Sequence, residues 1–464
     1  MKKIRIKQFT ILVCLLIAFM CVNLPCVLCN DQLLQIDLNQ KMTLHDIMKI
    51  TLLNNPDIQH ANAKINQAQA DIQKSNAVFF PSIHLYSDYV QGDEPIGYLM
   101  NVARQRDLPP MPNFNQPGWF ENYEVGVKIH YQLFNGGRNM LGRSMAKNGY
   151  TAEQFYRQSI ENTILSSVIQ TYYDAIAADD FTQIAKESVA TVEAQLNIMQ
   201  VRFNAGGALK SDVLSLDVRL AQAKEDLVTC ENHHKIALAY LANISGLEPD
   251  IQLQLVRTDK KLSTIPDNYY DGVKIALDKR SEIKQINEQV KQSQTALQLA
   301  KTAFLPTIAI SGTQFYDDDA YRFKKERKNW AVGVNVNWTV FNGFNTSSDI
   351  AKATAQLKAI EVMAKKTKLA IQLDVKKAYL NLEDAIARLQ VAESSVKNAE
   401  ESFNLVKKQY EGGSVTITRY LESELDLNRA RIRATAAFYD KEKGVAEIAR
   451  TLGYWGDWKN EQNN

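Results

Sequence analysis

The chain has 464 residues, 45% of them hydrophobic, five cysteines, and 54 basic against 52 acidic residues for a formal charge of +2. A balance so near neutrality offers nucleic acid no electrostatic footprint. After Leu28 no run of about 18 apolar residues remains, which excludes helical membrane spans from the rest of the chain.

The first 29 residues carry Lys2, Lys3, Arg5 and Lys7, then an apolar stretch from Phe9 to Leu28, then Cys29 before polar Asn30-Asp31. This pattern predicts an export signal over residues 1–29. A retained anchor is the alternative, because the apolar stretch is borderline in length. Cys14, Cys21, Cys26 and Cys29 follow Val, Met, Pro and Leu, none of them the small residue that lipid attachment requires. Loss of the signal leaves Cys230 alone, excludes a disulfide within the chain, and moves the charge from +2 to −2 as four basic and no acidic residues depart. An exported chain without helical spans can enter a membrane only through β-strands.

The rest is written twice. Phe134-Asn135-Gly136 recurs as Phe341-Asn342-Gly343, an offset of 207 that also pairs Val125-Gly126-Val127 with Val332-Gly333-Val334, Tyr172 with Tyr379, Gly206 with Gly413 and Gly246 with Gly453. Upstream the offset is 225, pairing Pro81 with Pro306, so the first copy holds an 18-residue insertion between Pro81 and Val125. A register held over more than a hundred positions is an internal duplication. Repeat 1 covers residues 30–255 and repeat 2 residues 256–455, followed by a tail at 456–464.

Each repeat begins with a predicted helical segment, Leu44 to Asn76 and Asp271 to Thr302, ending shortly before a proline. Strand pairs follow at 82–90 with 123–134 and at 307–316 with 330–341. The second strand of each pair alternates: Tyr123, Val125, Val127, Ile129, Tyr131 and Leu133 oppose Glu124, Gly126, Lys128, His130 and Gln132, and Trp330, Val332, Val334, Val336, Trp338 and Val340 oppose Gly333, Asn335, Asn337 and Thr339. Such strands suit either a tilted crossing of an outer membrane around a watery lumen or a half-buried soluble sheet. The segments joining each pair, Gln91 to Asn122 and Asp317 to Asn329, are polar and predicted to be solvated loops outside the cell.

Long helices are predicted at 139–203 and 346–410. Thr307 to Asn464 contains no proline, and Asn345 to Glu411 no glycine either. A helix of that length runs about 100 Å at 1.5 Å per residue, several times the depth of a globular domain. Ile164, Val168, Tyr172 and Ile176, with Ile371, Val375, Tyr379 and Leu382, form seams for packing helix on helix. Both helices stop at glycine pairs, Gly206-Gly207 and Gly412-Gly413, and return helices follow at 209–245 and 415–452.

Four strands cannot close a barrel, since the smallest use about eight. Three copies give twelve, so a homotrimer in outer membrane lipid is expected, with a helical tube continuing into the periplasm. This order of elements resembles the TolC-like family of outer membrane export channels. The resemblance rests on the strand-to-helix junctions Phe134-Asn135-Gly136-Gly137 and Phe341-Asn342-Gly343, on Ala378-Tyr379-Leu380-Asn381-Leu382, and on Tyr410-Glu411-Gly412-Gly413.

The resemblance implies an α+β membrane protein, a trimeric 12-stranded barrel continuous with a helical barrel, and passive transport for an inner membrane ABC or proton-driven transporter through a periplasmic adaptor. It implies adaptor docking near Gly206, Gly207, Gly412 and Gly413, and a periplasmic gate in which Asp212 and Tyr410 form a polar link. The arginine expected in the second turn is replaced by Val415, and two inward acids by Arg419 and Glu422, which puts inherited cation selectivity in doubt. Solvated helix-start charges are the other reading of Asp212, Arg419 and Glu422.

No cofactor, metal site or enzymatic activity is expected. Gly206-Gly207-Ala208-Leu209-Lys210-Ser211 lacks the glycine directly before the lysine of a phosphate loop, and adjacent His233 and His234 point about 100° apart on a helix. Asp317-Asp318-Asp319 lacks the glycine and glutamate of a calcium loop and reads as solvated. A coiled-coil envelope tether is the rival reading, and an uptake porin is disfavoured because too little of the chain is strand.

Overall fold

The computed structural model describes residues 41–110, 113, 115–257 and 265–457. The export signal at 1–29 and tail residues 458–464 lie outside the described residues.

Each repeat opens with two helices where the sequence predicts one. In repeat 1, α1 (Leu44–Asn54) and α2 (Pro56–Ala77) meet at Asn55. Pro56 has no N–H and crowds the residue before it, so Asn55 turns extended at ψ 126°, and its side chain then caps α2 by accepting from Asp57 and Ile58. Repeat 2 breaks at the equivalent place without proline: Arg280 sits at ψ 129° between α6 (Tyr269–Lys279) and α7 (Ser281–Lys301). Ion pairs hold it there, with Arg280 Nη1 2.7 Å from Asp374 and Nη2 2.5 Å from Glu282.

Four antiparallel strands form one sheet in chain order: β1 (Ser82–Gly92), β2 (Phe120–Phe134), β3 (Thr307–Asp318) and β4 (Lys328–Asn337). The two repeats therefore join edge to edge, and β1 and β4 remain as open edges. Register places Leu85 opposite Val127, Ile310 opposite Val334 and Ile308 opposite Val336 on one face. That face is not packed: Leu85 is 66% exposed and Trp330, Val332, Val334 and Val336 are 64 to 72% exposed. A half-buried soluble sheet would bury these side chains, whereas lipid would cover them. The strand predicted to reach Phe341 stops at Asn337, because its partner β3 begins at Thr307 after Pro306, which has no N–H to give the ladder.

The segment between β1 and β2 is not a plain solvated loop. It holds a ten-residue helix, α3 (Pro95–Arg104), with proline at its first position where the missing N–H costs nothing.

The long helices are α4 (Arg138–Asn204) and α8 (Asn345–Glu411), each of 67 residues, and the return helices are α5 (Lys210–Ile244) and α9 (Ile417–Leu452). At the junctions Gly136 and Gly137 take φ +68° and +81°, and their equivalents Gly343 and Phe344 take +65° and +64°. Asn135 and Asn342 then reach the first helical turn, Nδ2 donating to Asn139 at 2.6 Å and to Thr346 Oγ1 at 2.9 Å. Halfway along, equivalent tyrosines tie the connecting segments to the tube: Tyr172 donates to the Val256 carbonyl and Tyr379 to that of Pro266 at 2.8 Å.

Core burial is thin and axial. Ile371, Val375, Ala378 and Leu382 of α8 pack with Ile448 and Leu452 of α9 and with Ala276 of α6. Val362, Leu369, Leu373 and Leu380 lie exposed along another side of α8, as do Leu214, Val218, Ile236 and Tyr240 on α5. A single chain leaves these seams uncovered, and neighbouring copies in a helical tube cover them. No helix among the described residues is long and apolar enough to cross a membrane.

Candidate functional site: the periplasmic tip and the outer rim

At the tip the chain reverses twice through the same device. Gly206 N–H donates to Phe203 and Gly207 N–H to Arg202, while Gly413 N–H donates to Tyr410 and Ser414 N–H to Gln409. Positive φ falls on Gly206 (+77°) and its equivalent Gly413 (+71°), where no atom lies within 4 Å of an added Cβ. Glycine is needed there for its backbone and not for space. Gly412 has φ −82°, so the turns need one glycine each.

Behind the turns a hydrophobic cluster joins the two hairpins. Val192 and Met199 of α4, Val213 and Leu216 of α5, Val406 and Tyr410 of α8, and Ile417 and Tyr420 of α9 are all buried in it. Equivalent positions of the two repeats enter the same cluster, Met199 with Val406 and Val213 with Tyr420. The Tyr410 and Tyr420 rings stack at 5.2 Å. Burial pushes the Tyr420 hydroxyl up to about 12, with Glu424 and Tyr410 adding to it.

The expected link between Tyr410 and Asp212 is not made inside one chain. The Tyr410 hydroxyl points into the cluster, 3.9 Å from Met199 Sδ. Burial raises its pKa above the ordinary value, Gln195 opposes that, and Asp212 lies close enough to raise it further. Asp212 is half-exposed in the first turn of α5, 3.5 Å from Ser211 Oγ. Apolar neighbours on both return helices bury the tyrosine, while the start of α5 leaves the carboxylate partly exposed.

Arg419 and Glu422 come together. They lie one turn apart on α9, Nη1 to Oε2 3.5 Å, with both side chains more than half exposed. Thr416 caps this helix by accepting from the Arg419 N–H. A pair so exposed contributes little to stability, on the order of 0.5 kcal/mol or less, so it is free to face a pore.

Two charged clusters escaped the sequence reading. Above the tip, Arg219 of α5 and Glu424 of α9 form a buried pair joined by Ser188 of α4, whose Oγ donates to Glu424 Oε1 at 2.7 Å, and by Asn428. The signal was available: Arg219 sits between Leu216 and Ala223 at spacing i, i+3 and i+7, on the stripe α5 buries. At the other end Asp317 and Asp318, read as solvated, are fully buried. Arg327 donates to Asp318 at 2.7 Å and to Asp107 at 2.7 Å, while Asn122 and Asn329 donate to Asp317 at 2.8 and 3.0 Å. Asp318 first, and Arg327 with it, hold the Asp319 carboxyl well below the usual range. His234, which the sequence leaves as a solvated or packing residue, places Nδ1 3.2 Å from the Ala175 carbonyl. No group of three or more potential metal ligands occurs among the described residues.

The model of a family described as outer membrane efflux protein matches residues 47–247 and 272–454. The pyoverdine export outer membrane protein OpmQ of Pseudomonas aeruginosa is 22% identical, covering 90% of this chain and 86% of its own length. Protein CyaE of Bordetella pertussis is 22% identical.

 The coverage in that match is 84% of this chain and 80% of CyaE, over 396 aligned residues. The fold is that of the Campylobacter jejuni CmeC outer membrane channel, with a TM-score of 0.74 at 16% identity over 90% of this chain and 88% of that one. The sheet, with an uncovered apolar face and two open edges, does not close within one chain, and the family match supports an outer membrane channel over the coiled-coil tether. The family model covers most of both repeats, and on that match the chain belongs to the outer membrane efflux protein family.

Proposed function

We propose that Asp212, Tyr410, Arg419 and Glu422 close the periplasmic end of this outer membrane channel, and that the turns at Gly206, Gly207, Gly412 and Gly413 receive a periplasmic adaptor that joins it to an inner membrane ABC or proton-driven transporter. The channel itself is passive. Repeats 1 and 2 each supply one helical hairpin to the tube, and the junctions Phe134-Asn135-Gly136 and Phe341-Asn342-Gly343 turn strand into helix at the membrane's inner edge.

The observation that supports this best is the division of labour at the tip. Tyr410 is 7% exposed inside a cluster that fastens the two hairpins of one chain, whereas Arg419 and Glu422 stand free at its surface. Among the described residues the Asp212 carboxylate is bonded only by Ser211 at 3.5 Å, which suits a contact supplied by the adjoining protomer. In a trimer three Arg419 alternate with three Glu422, so the ring carries paired charges instead of converging acids.

Crosslinking in intact cells followed by purification of the tagged channel tests the assembly. Recovery of an adaptor with a secretion ATPase assigns protein cargo, and recovery with a proton-driven exchanger assigns small compounds. Recovery of a monomer that is soluble without detergent, with no inner membrane partner, overturns the reading.

A further inference from the structure

The 18-residue insertion of repeat 1 falls in the segment that carries α3, and the shorter β3–β4 connection has no equivalent helix. Its C-terminal end is fastened to the polar face of the sheet. The Arg104 guanidinium lies 3.8 Å from Glu124 and 5.7 Å over the Phe315 ring, both on the face opposite the exposed valines. Gln105, 3% exposed, donates to the Glu121 carbonyl at 2.7 Å and to Asn122 at 2.9 Å. Arg106 donates to the Lys328 carbonyl at 3.0 Å, Asn329 to the Arg104 carbonyl at 3.0 Å, and Arg327 to Asp107 at 2.7 Å. Near the other end Tyr98 packs edge-on against Phe120 at 6.5 Å. These bonds hold the C-terminal end of the helix and the residues just after it against β2, β3 and β4 on the polar, lumen-side face.

The free side of α3 is apolar. Ile96 is 78% exposed and Met100 51%, and Ala103 completes a stripe at i, i+4 and i+7. Lipid does not reach that side, because the helix sits on the polar face of the sheet. Twelve strands about 4.8 Å apart and tilted about 40° close at a diameter of about 24 Å. A helix is about 10 Å thick with its side chains, so three of them on the inner wall at one level meet at the axis.

We propose that the α3 helices of three copies of this chain meet through Ile96 and Met100 and form a hydrophobic constriction at the outer mouth, a second barrier in series with the periplasmic tip. An apolar ring of this kind resists ions by shedding water, and passes cargo when the helices part. The occupant of the exposed stripe is thus the same stripe on the two other protomers. This goes beyond the gate at the tip and rests only on the trimeric barrel.

The test uses the full chain with Cys230→Ser, carrying Ile96→Cys or Met100→Cys, oxidised in isolated outer membranes. A disulfide-linked dimer is expected for at least one variant, because three thiols at one axis leave one unpaired. Failure of both to crosslink, in trimers that still migrate intact without heating, overturns the proposal. Conductance gives a second reading. On an Asp212→Ala background, Met100→Asp should raise single-channel conductance about two-fold by wetting the constriction, and an unchanged value in a channel that Asp212→Ala has already opened counts against it.

Discussion

Arg219 on the first return helix donates to Glu424 on the second through Nε at 3.1 Å and Nη2 at 2.8 Å, with side chains only 9% and 3% exposed. This bond crosses between the repeats just above the tip, so it fixes the spacing of the hairpins that any opening must change. Removing one partner leaves a buried charge, which costs about 3–5 kcal/mol, whereas replacing both by apolar residues is close to neutral. Glu424→Ala should lower the thermal midpoint and speed hydrogen exchange at the tip, and Arg219→Met with Glu424→Leu should recover most of the loss. Equal loss in the single and double variants would show that the pair is not the source of the effect.

Asp212→Ala should raise single-channel conductance in planar bilayers. The carboxylate is partly exposed with a long contact to Ser211, and the Tyr410 hydroxyl turns to Met199, so the carboxylate is available to a neighbour. A charge-assisted link contributes roughly 1.5–3 kcal/mol, repeated three times around the ring. Conductance equal to that of the unaltered channel would place the restriction elsewhere.

Arg419→Asp should strengthen block by divalent or trivalent cations added on the periplasmic side. The substitution replaces a pair at 3.5 Å with two acids one turn apart on each protomer. An unaltered blocking affinity would mean that position 419 does not line the pore.

Gly413→Ala should destabilise the tip by about 1–2 kcal/mol, since an L-residue at φ +71° meets its own carbonyl. Gly412→Ala, at φ −82°, should cost far less. Thermal midpoints of the two variants separate the conformational role of glycine from any role in docking, which copurification of the crosslinked adaptor reads independently.

Alkaline pH should loosen the hairpin cluster. The folded Tyr420 hydroxyl titrates at about 12, above its ordinary 10, so the neutral form is the one that folding favours. Its contribution is complete below pH 10 and is lost as pH rises through about 12. The thermal midpoint should therefore fall across that window, and Tyr420→Phe should shrink the fall.

The sequence by itself determined the duplication, the four strands, the two long helices and their reversals, because each is written in local terms. Glycine and proline placement bounds the helices, and alternation marks the sheet faces, before any distant residue is consulted. The expected single entry helix from Leu44 to Asn76 runs through Pro56, where the chain in fact breaks, and the equivalent break at Arg280 is held by Glu282 nearby and by Asp374, 94 residues away. The tertiary structure alone decided where the polar groups go. Arg219 meets Glu424 across 205 positions, Asn122 meets Asp317 across 195, and Arg106 meets the Lys328 carbonyl across 222. Whether an aspartate is solvated or buried, and whether an insertion is a loop or a cap, depends on what the other repeat brings to its side, and spacing along one chain carries no record of that.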